Sequence, residues 1–340
     1  MKLLKKIGKI AGITLGSIVS FAIVVILILS CCRNVMYKDF YQNATEVIKQ
    51  PGLDTKYVQQ GLAYHKEDDT FLFSGYMSDK SNSRIYVVNE EREVGHVLLI
   101  KENGKKFTGH VGGISVHNDF VYISNSSKVY VMSYSELIEN AYKDEVQSMS
   151  MKSFDVNNDG SFAFANEDGL WVGEFHYSDL YTTDESHHGE TIGGDYHAAW
   201  LSHYEYATGE NDDSEAAKFG LKSFIPKKII TIRDKVQGFT ISTSGKMIAS
   251  CSWNIYHSYL YVYSPLDLEK VDKTVTINEK EVPVYDLDSR YEEKVLRMPP
   301  MSEGLAYNDG NVYISFESAS AKYRIANMYP VTHLMAYPVN

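Results

Sequence analysis

The sequence predicts an all-β chain, a β-propeller of four-stranded blades preceded by one N-terminal transmembrane helix, and three observations carry the prediction. A motif of glycine followed by small and apolar residues recurs five times along 340 residues. Each recurrence leads into further β-prone runs, and residues 10–30 form a predominantly apolar, uncharged stretch.

The first unit opens at Gln60-Gly61-Leu62-Ala63-Tyr64 and continues through Phe71-Leu72-Phe73-Ser74, Ile85-Tyr86-Val87-Val88 and Val97-Leu98-Leu99-Ile100. The second runs from Gly112-Gly113-Ile114-Ser115-Val116 through Val121-Tyr122-Ile123-Ser124 to Val129-Tyr130-Val131-Met132. A degenerate third begins at Gly160-Ser161-Phe162-Ala163-Phe164 and passes through Leu170-Trp171-Val172-Gly173, Ala199-Trp200-Leu201 and Ile229-Ile230-Thr231-Ile232. The fourth takes Gln237-Gly238-Phe239-Thr240-Ile241, Met247-Ile248-Ala249-Ser250, Leu260-Tyr261-Val262-Tyr263 and Lys294-Val295-Leu296. The fifth takes Glu303-Gly304-Leu305-Ala306-Tyr307, Val312-Tyr313-Ile314-Ser315 and Leu334-Met335-Ala336-Tyr337.

Aromatic and β-branched residues suit such pleated positions, and four runs per unit is the blade of a propeller. Five blades are favoured, with six the alternative because the third interval is long. The fifth unit ends after three runs, while Glu46-Val47-Ile48 stands before the first. The N- and C-terminal strands are therefore expected to complete one blade together, making residues 46–340 one domain with few exposed edges. Tyr134 to Tyr142 departs from the pattern and reads as a short helix capped by Ser135. Asp155 to Gly160 reads as a β-turn rather than a calcium loop, whose twelfth position would fall on Asn166. Asp179–Asp195 and Glu205–Lys222 read as polar loops, where function more often resides.

The domain boundaries at the N-terminus follow from charge. Residues 1–9 are a basic cytoplasmic flank, 10–30 the membrane anchor and 31–45 a juxtamembrane linker. Twenty residues at about 1.5 Å each cover the roughly 30 Å hydrocarbon core, and the preceding lysines keep that flank inside. A cleaved signal peptide is the competing reading, but its apolar region is ordinarily shorter. Cys31, behind Ile28-Leu29-Ser30, also looks loosely like a lipoprotein acylation site, and Cys31 with Cys32 suits acylation at the membrane boundary. The expected location is the cell membrane, single-pass, with the C-terminal domain extracytoplasmic and the partner of residues 10–30 being the bilayer.

Net charge is −11, from 33 basic and 44 acidic residues, and residues 1–33 hold five of the bases and no acid. The outer domain is therefore more acidic still, which argues against a nucleic-acid partner and leaves a small-molecule, glycan or protein ligand. Beyond Cys31 and Cys32 only Cys251 remains, so that domain closes no disulfide of its own.

In a propeller the first strand of every blade faces the central channel, so equivalent positions converge there. The residue before the repeat glycine is Gln60, Gly112, Gly160, Gln237 or Glu303, with His110 two residues from Gly112. Gln60, His110, Gln237 and Glu303 are thus candidates for a polar ligand site at the channel mouth. The bland alternative is that they hold blades together. Glu317 and Tyr323, in the polar loop of the last unit, are candidates to cap it. His187 and His188, near His197, complete the candidates, although a solvated loop is favoured over a metal site for them. Glu303 is the metal candidate, with calcium the cofactor considered; one carboxylate falls short of six to eight oxygen ligands.

These repeats resemble those of bacterial membrane-anchored surface β-propellers. The glycine-led strands and the Tyr-Ile-Ser runs are loosely similar to the six-bladed class of SMP-30-type lactonases and calcium-dependent esterases. That resemblance implies calcium held at the channel by a Glu and several Asn or Asp residues, with Glu303 in the comparable place and Gln60 and Gln237 replacing acids. A ligand- or protein-binding module acting through the channel mouth is the leading expectation. A calcium-dependent hydrolase and a structural surface protein are the alternatives.

Overall fold

The computed structural model describes residues 31–209 and 214–339, together with Ser20, Phe21, Val24, Val25 and Ile28. Residues 1–9, most of the apolar run 10–30, and Asp212 and Asp213 lie outside the described residues. Among the described residues no helix is long and apolar enough to cross a membrane.

The described chain enters through helix α1 (Lys38–Asn43) and strand β1 (Thr45–Lys49). The first repeat then folds as β2 (Tyr57–His65), β3 (Thr70–Met77), β4 (Arg84–Val88) and β5 (Val94–Lys101), each antiparallel to the next. Burial explains the composition: β3 is covered along its whole length, whereas β5, outermost, alternates buried and open positions with the period of two.

The second repeat comprises β6 (Gly113–His117), β7 (Phe120–Ser133), helix α2 (Tyr134–Ala141) and the start of β8 (Ser148–Asn166). A straight strand of fourteen residues would span about 46 Å. Instead Tyr134 N–H donates to Asp119 O at 2.9 Å, so β7 doubles back near Ser126, whose φ is +55°. Helix α2 is capped by Ser133, whose Oγ accepts from Glu136 N–H, rather than by Ser135. The expected β-turn at Asp155–Gly160 is also absent. β8 continues through it with a break in register, its pairing with β7 jumping from Asp155 to Gly160 before it pairs with β9 (Gly169–Glu174), and Asn157 and Asn158 are held there by the Tyr204 hydroxyl and Val172 O.

The third repeat adds to β9 a two-residue ribbon of β10 (Gly189–Glu190) and β11 (Tyr196–His197), then β12 (Ala199–Tyr204) and β13 (Lys228–Ile232). The fourth holds β14 (Val236–Ile241), β15 (Met247–Cys251) and β16 (Ser258–Tyr263). A hairpin not foreseen from sequence, β17 (Lys273–Ile277) and β18 (Lys280–Asp286), lies in parallel on β13 before β19 (Glu292–Met298) completes the sheet. The last repeat supplies β20 (Ser302–Asn308), β21 (Asn311–Phe316) and β22 (His333–Pro338), and β1 pairs antiparallel with β22, so both termini share one sheet.

The arrangement is that of a β-propeller. β2 lies beside β6, β6 beside the later part of β8, β8 beside β14, β14 beside β20, and β20 beside β2. The repeat glycine is required by that convergence: a Cβ on Gly61 would come within 2.8 Å of Ile114 N, and one on Gly304 would collide with Leu62 N. Apolar clusters fill the wedges between sheets; Leu72, Ile85 and Val97 of the first repeat pack on Ile114, Val121 and Ile123 of the second.

Residues 31–45 are less free than a linker. Phe40 of α1 is fully buried and packs on Phe316 and Tyr337, and the buried Tyr37 packs edge-on to Tyr329.

Candidate functional site

All five residues that precede the repeat motif, Gln60, Gly112, Gly160, Gln237 and Glu303, line one cavity of about 510 Å³. They reach it because β2, β8, β14 and β20, with the approach to β6, run side by side. His110, Glu317 and Tyr323 also line it. Six of the eight candidate residues therefore meet in one place.

Gln60 organises one wall. Its Nε2 donates to Glu317 Oε2 at 2.9 Å and to Gln59 O at 2.7 Å, while its Oε1 accepts from His110 Nδ1 at 3.0 Å. The His110 ring lies 4.4 Å from that of Tyr76, whose hydroxyl accepts from Lys322 Nζ at 2.6 Å and stands 3.3 Å from the Tyr323 hydroxyl. Burial, reinforced by Lys322 and Lys80, pushes the His110 pKa down, so this imidazole is neutral at physiological pH.

Beside it, Glu303 is only 4% exposed, and no described residue donates a hydrogen bond to its carboxyl. Burial pushes its pKa well above the ordinary carboxylate range, and the neighbouring Glu317 pushes it further. Burial raises Glu317 to about 8, against the lowering effects of Lys322 and Gln60. Two adjacent carboxyls that both resist ionisation retain a proton near neutral pH. Asp159, raised by burial and by Glu174, adds a third acid from the third repeat. Phe175, Tyr181, Trp253 and Tyr323 supply aromatic wall.

His187 and His188 are elsewhere. His187 is not on a solvated loop: it is buried, its Nδ1 is 3.0 Å from both Glu174 oxygens, and its ring stacks on Trp200 at 3.6 Å. His188 Nε2 bonds Thr183 Oγ1 at 2.9 Å, and His197 Nδ1 bonds Thr231 Oγ1 at 3.0 Å. Each is satisfied locally, and among the described residues no group of three or more His, Cys, Asp or Glu side chains is placed to hold a metal ion. Gln60 turns its amide nitrogen, not its oxygen, towards Glu317, and the Glu303 and Glu317 carboxyls alone fall short of the six to eight oxygens that calcium takes.

A second ring of mouth residues carries a signal that the sequence reading passed over. Two positions beyond the Ser or Gly that ends the second run stand Tyr76, Ser126, Phe175, Ser252 and Glu317, and the last four line the cavity. A neighbouring cavity of about 630 Å³, between the third and fourth repeats, shares Ser252 and Trp253 with it and is walled by Tyr177, Tyr261 and Tyr263.

No protein-family model matches the chain, and neither does any curated protein. Among solved structures it is similar to the glutaminyl cyclase of Myxococcus xanthus at 11% identity, over 87% of this chain and 97% of that one, with a TM-score of 0.40. It is similar to the PQQ-bound aldose sugar dehydrogenase of Streptomyces coelicolor at 15% identity, over 80% and 78% of the two chains, with a TM-score of 0.42. It is also similar to the Dos1 propeller at 8% identity, over 81% and 71%, with a TM-score of 0.29.

Proposed function

We propose that the chain is a membrane-anchored, extracytoplasmic propeller of five blades whose channel mouth binds a ligand bearing an ammonium group. The anchor is residues 10–30, and the blades are the five four-stranded units, with β1 supplying the outermost strand of the last. The observation that carries the binding reading is the nearly buried Glu303 carboxyl, with no hydrogen-bond donor among the described residues and beside Glu317. A cation inserted there replaces the retained proton, and the aromatic walls add cation–π attraction. The acidity of the outer domain favours the same charge.

Calorimetry with 1,4-diaminobutane at pH 7.5, and with 1,4-butanediol as its neutral match, tests the reading. The diamine is expected to bind, to bind at least about ten-fold more weakly to Glu303→Gln, and to outcompete the diol. Equal behaviour of diamine and diol, or of wild type and variant, would refute it.

The carboxyl pair also supports a second reading, general acid–base hydrolysis. Ester or lactone turnover abolished in Glu303→Gln would favour it, and it needs no calcium.

A further inference from the structure

The described N-terminal residues define where the chain leaves the folded body. The Tyr37 hydroxyl lies 2.9 Å from His257 Nδ1, and its ring is 5.7 Å from that of Tyr329. His257 belongs to the loop after β15, which gives Ser252, Trp253 and Asn254 to the mouth cavity. Tyr329 lies in the loop after β21, which gives it Glu317 and Tyr323. The chain thus departs from the face that carries the channel mouth. Residues 31–36 are helical, which puts residue 31 about 9 Å along the axis from Tyr37. The uncharged run that precedes it ends within one or two residues.

The tips of those two loops are apolar and open to solvent. Ile325 is 94% exposed, Met328 64% and Tyr256 68%, and Val35 on the connecting helix is 74% exposed. Single exposed apolar residues are ordinary, but a group of them around one exit point marks a surface that meets an apolar phase. Arg33 and Lys38 stand beside that exit, and Tyr with basic residues is the composition of a bilayer interface.

We infer that this face rests on the bilayer, with the 253–257 and 323–329 loop tips in the interfacial layer, so that the channel mouth is entered from the lipid side. The inference depends on residues 10–30 spanning the membrane. It commits to lipid as the occupant because an apolar stretch long enough to span is joined to this face by about two helical turns.

The test uses the full chain with Cys31→Ser and Cys32→Ser, the buried Cys251 left in place, reconstituted into phosphatidylcholine vesicles. A fluorophore is attached at Tyr256→Cys, Ile325→Cys or, as control, Asp309→Cys, in the turn at the far end of β20 from Glu303. Brominated lipid is expected to quench the labels at 256 and 325 at least two-fold more than the label at 309. Equal quenching in protein that resists carbonate extraction overturns the inference while leaving the anchor standing. Labels at 256 and 325 that escape lipid quenching yet are shielded from iodide assign the patch to a second protein copy, which also overturns it. Chain released by carbonate refutes the anchor and the inference with it.

Discussion

Glu303 and Glu317 illustrate how a repeat position acquires chemistry. In the other units the position before the glycine carries an amide or no side chain, and among the described residues only the last unit places two carboxyls at the mouth. Both have pKa values above their unfolded ones, so the folded state holds extra protons between about pH 4.5 and 8. Their stabilising contribution is present below the unfolded pKa and is lost as pH rises through the folded one. Glu303→Gln is therefore expected to match wild type in thermal unfolding at pH 5 and to exceed it by a few degrees at pH 9. A variant less stable at pH 9 would show that the Glu303 carboxylate has a cationic partner that the described residues do not supply. At this scale the position of Glu303 was readable from the repeat, but its surroundings were not. The buried state of His187 was equally hidden, because its partners Glu174 and Trp200 lie in other strands.

Strands were the readable elements, since each apolar run between turn residues faces two neighbouring sheets. What escaped were features decided by long-range pairing. β8 continues through a sequence rich in Asn and Asp because both of its halves find partners, and β17–β18 forms because β13 offers it an edge. Helix α1 was read as linker for the same reason: its apolar content is slight, and its anchor is the single ring of Phe40 between Phe316 and Tyr337. Phe40→Ala is expected to lower unfolding free energy by about 3–5 kcal/mol, measured by denaturant titration. A loss below about 1 kcal/mol would mean that α1 is peripheral.

For the whole molecule, the glycine at the start of each first strand sets how closely the units approach. Gly61→Ala pushes a methyl group into the second repeat near Ile114 N and is expected to cost about 1–3 kcal/mol. The same substitution at Gly104, where nothing lies near the new Cβ but φ is +75°, carries only backbone strain of about 1 kcal/mol. If the two variants unfolded alike, the convergence of first strands would not be what requires the glycine. The convergence of these strands also brings Glu303 and Glu317 together with the mouth loops. Binding at the mouth requires that a cation displace the proton they retain. The direct measurement is calorimetry of 1,4-diaminobutane binding at pH 7 in buffers of different ionisation enthalpy. Release of close to one proton per diamine bound, absent in Glu303→Gln, is the predicted result; binding without proton release, or release unchanged in the variant, would contradict it.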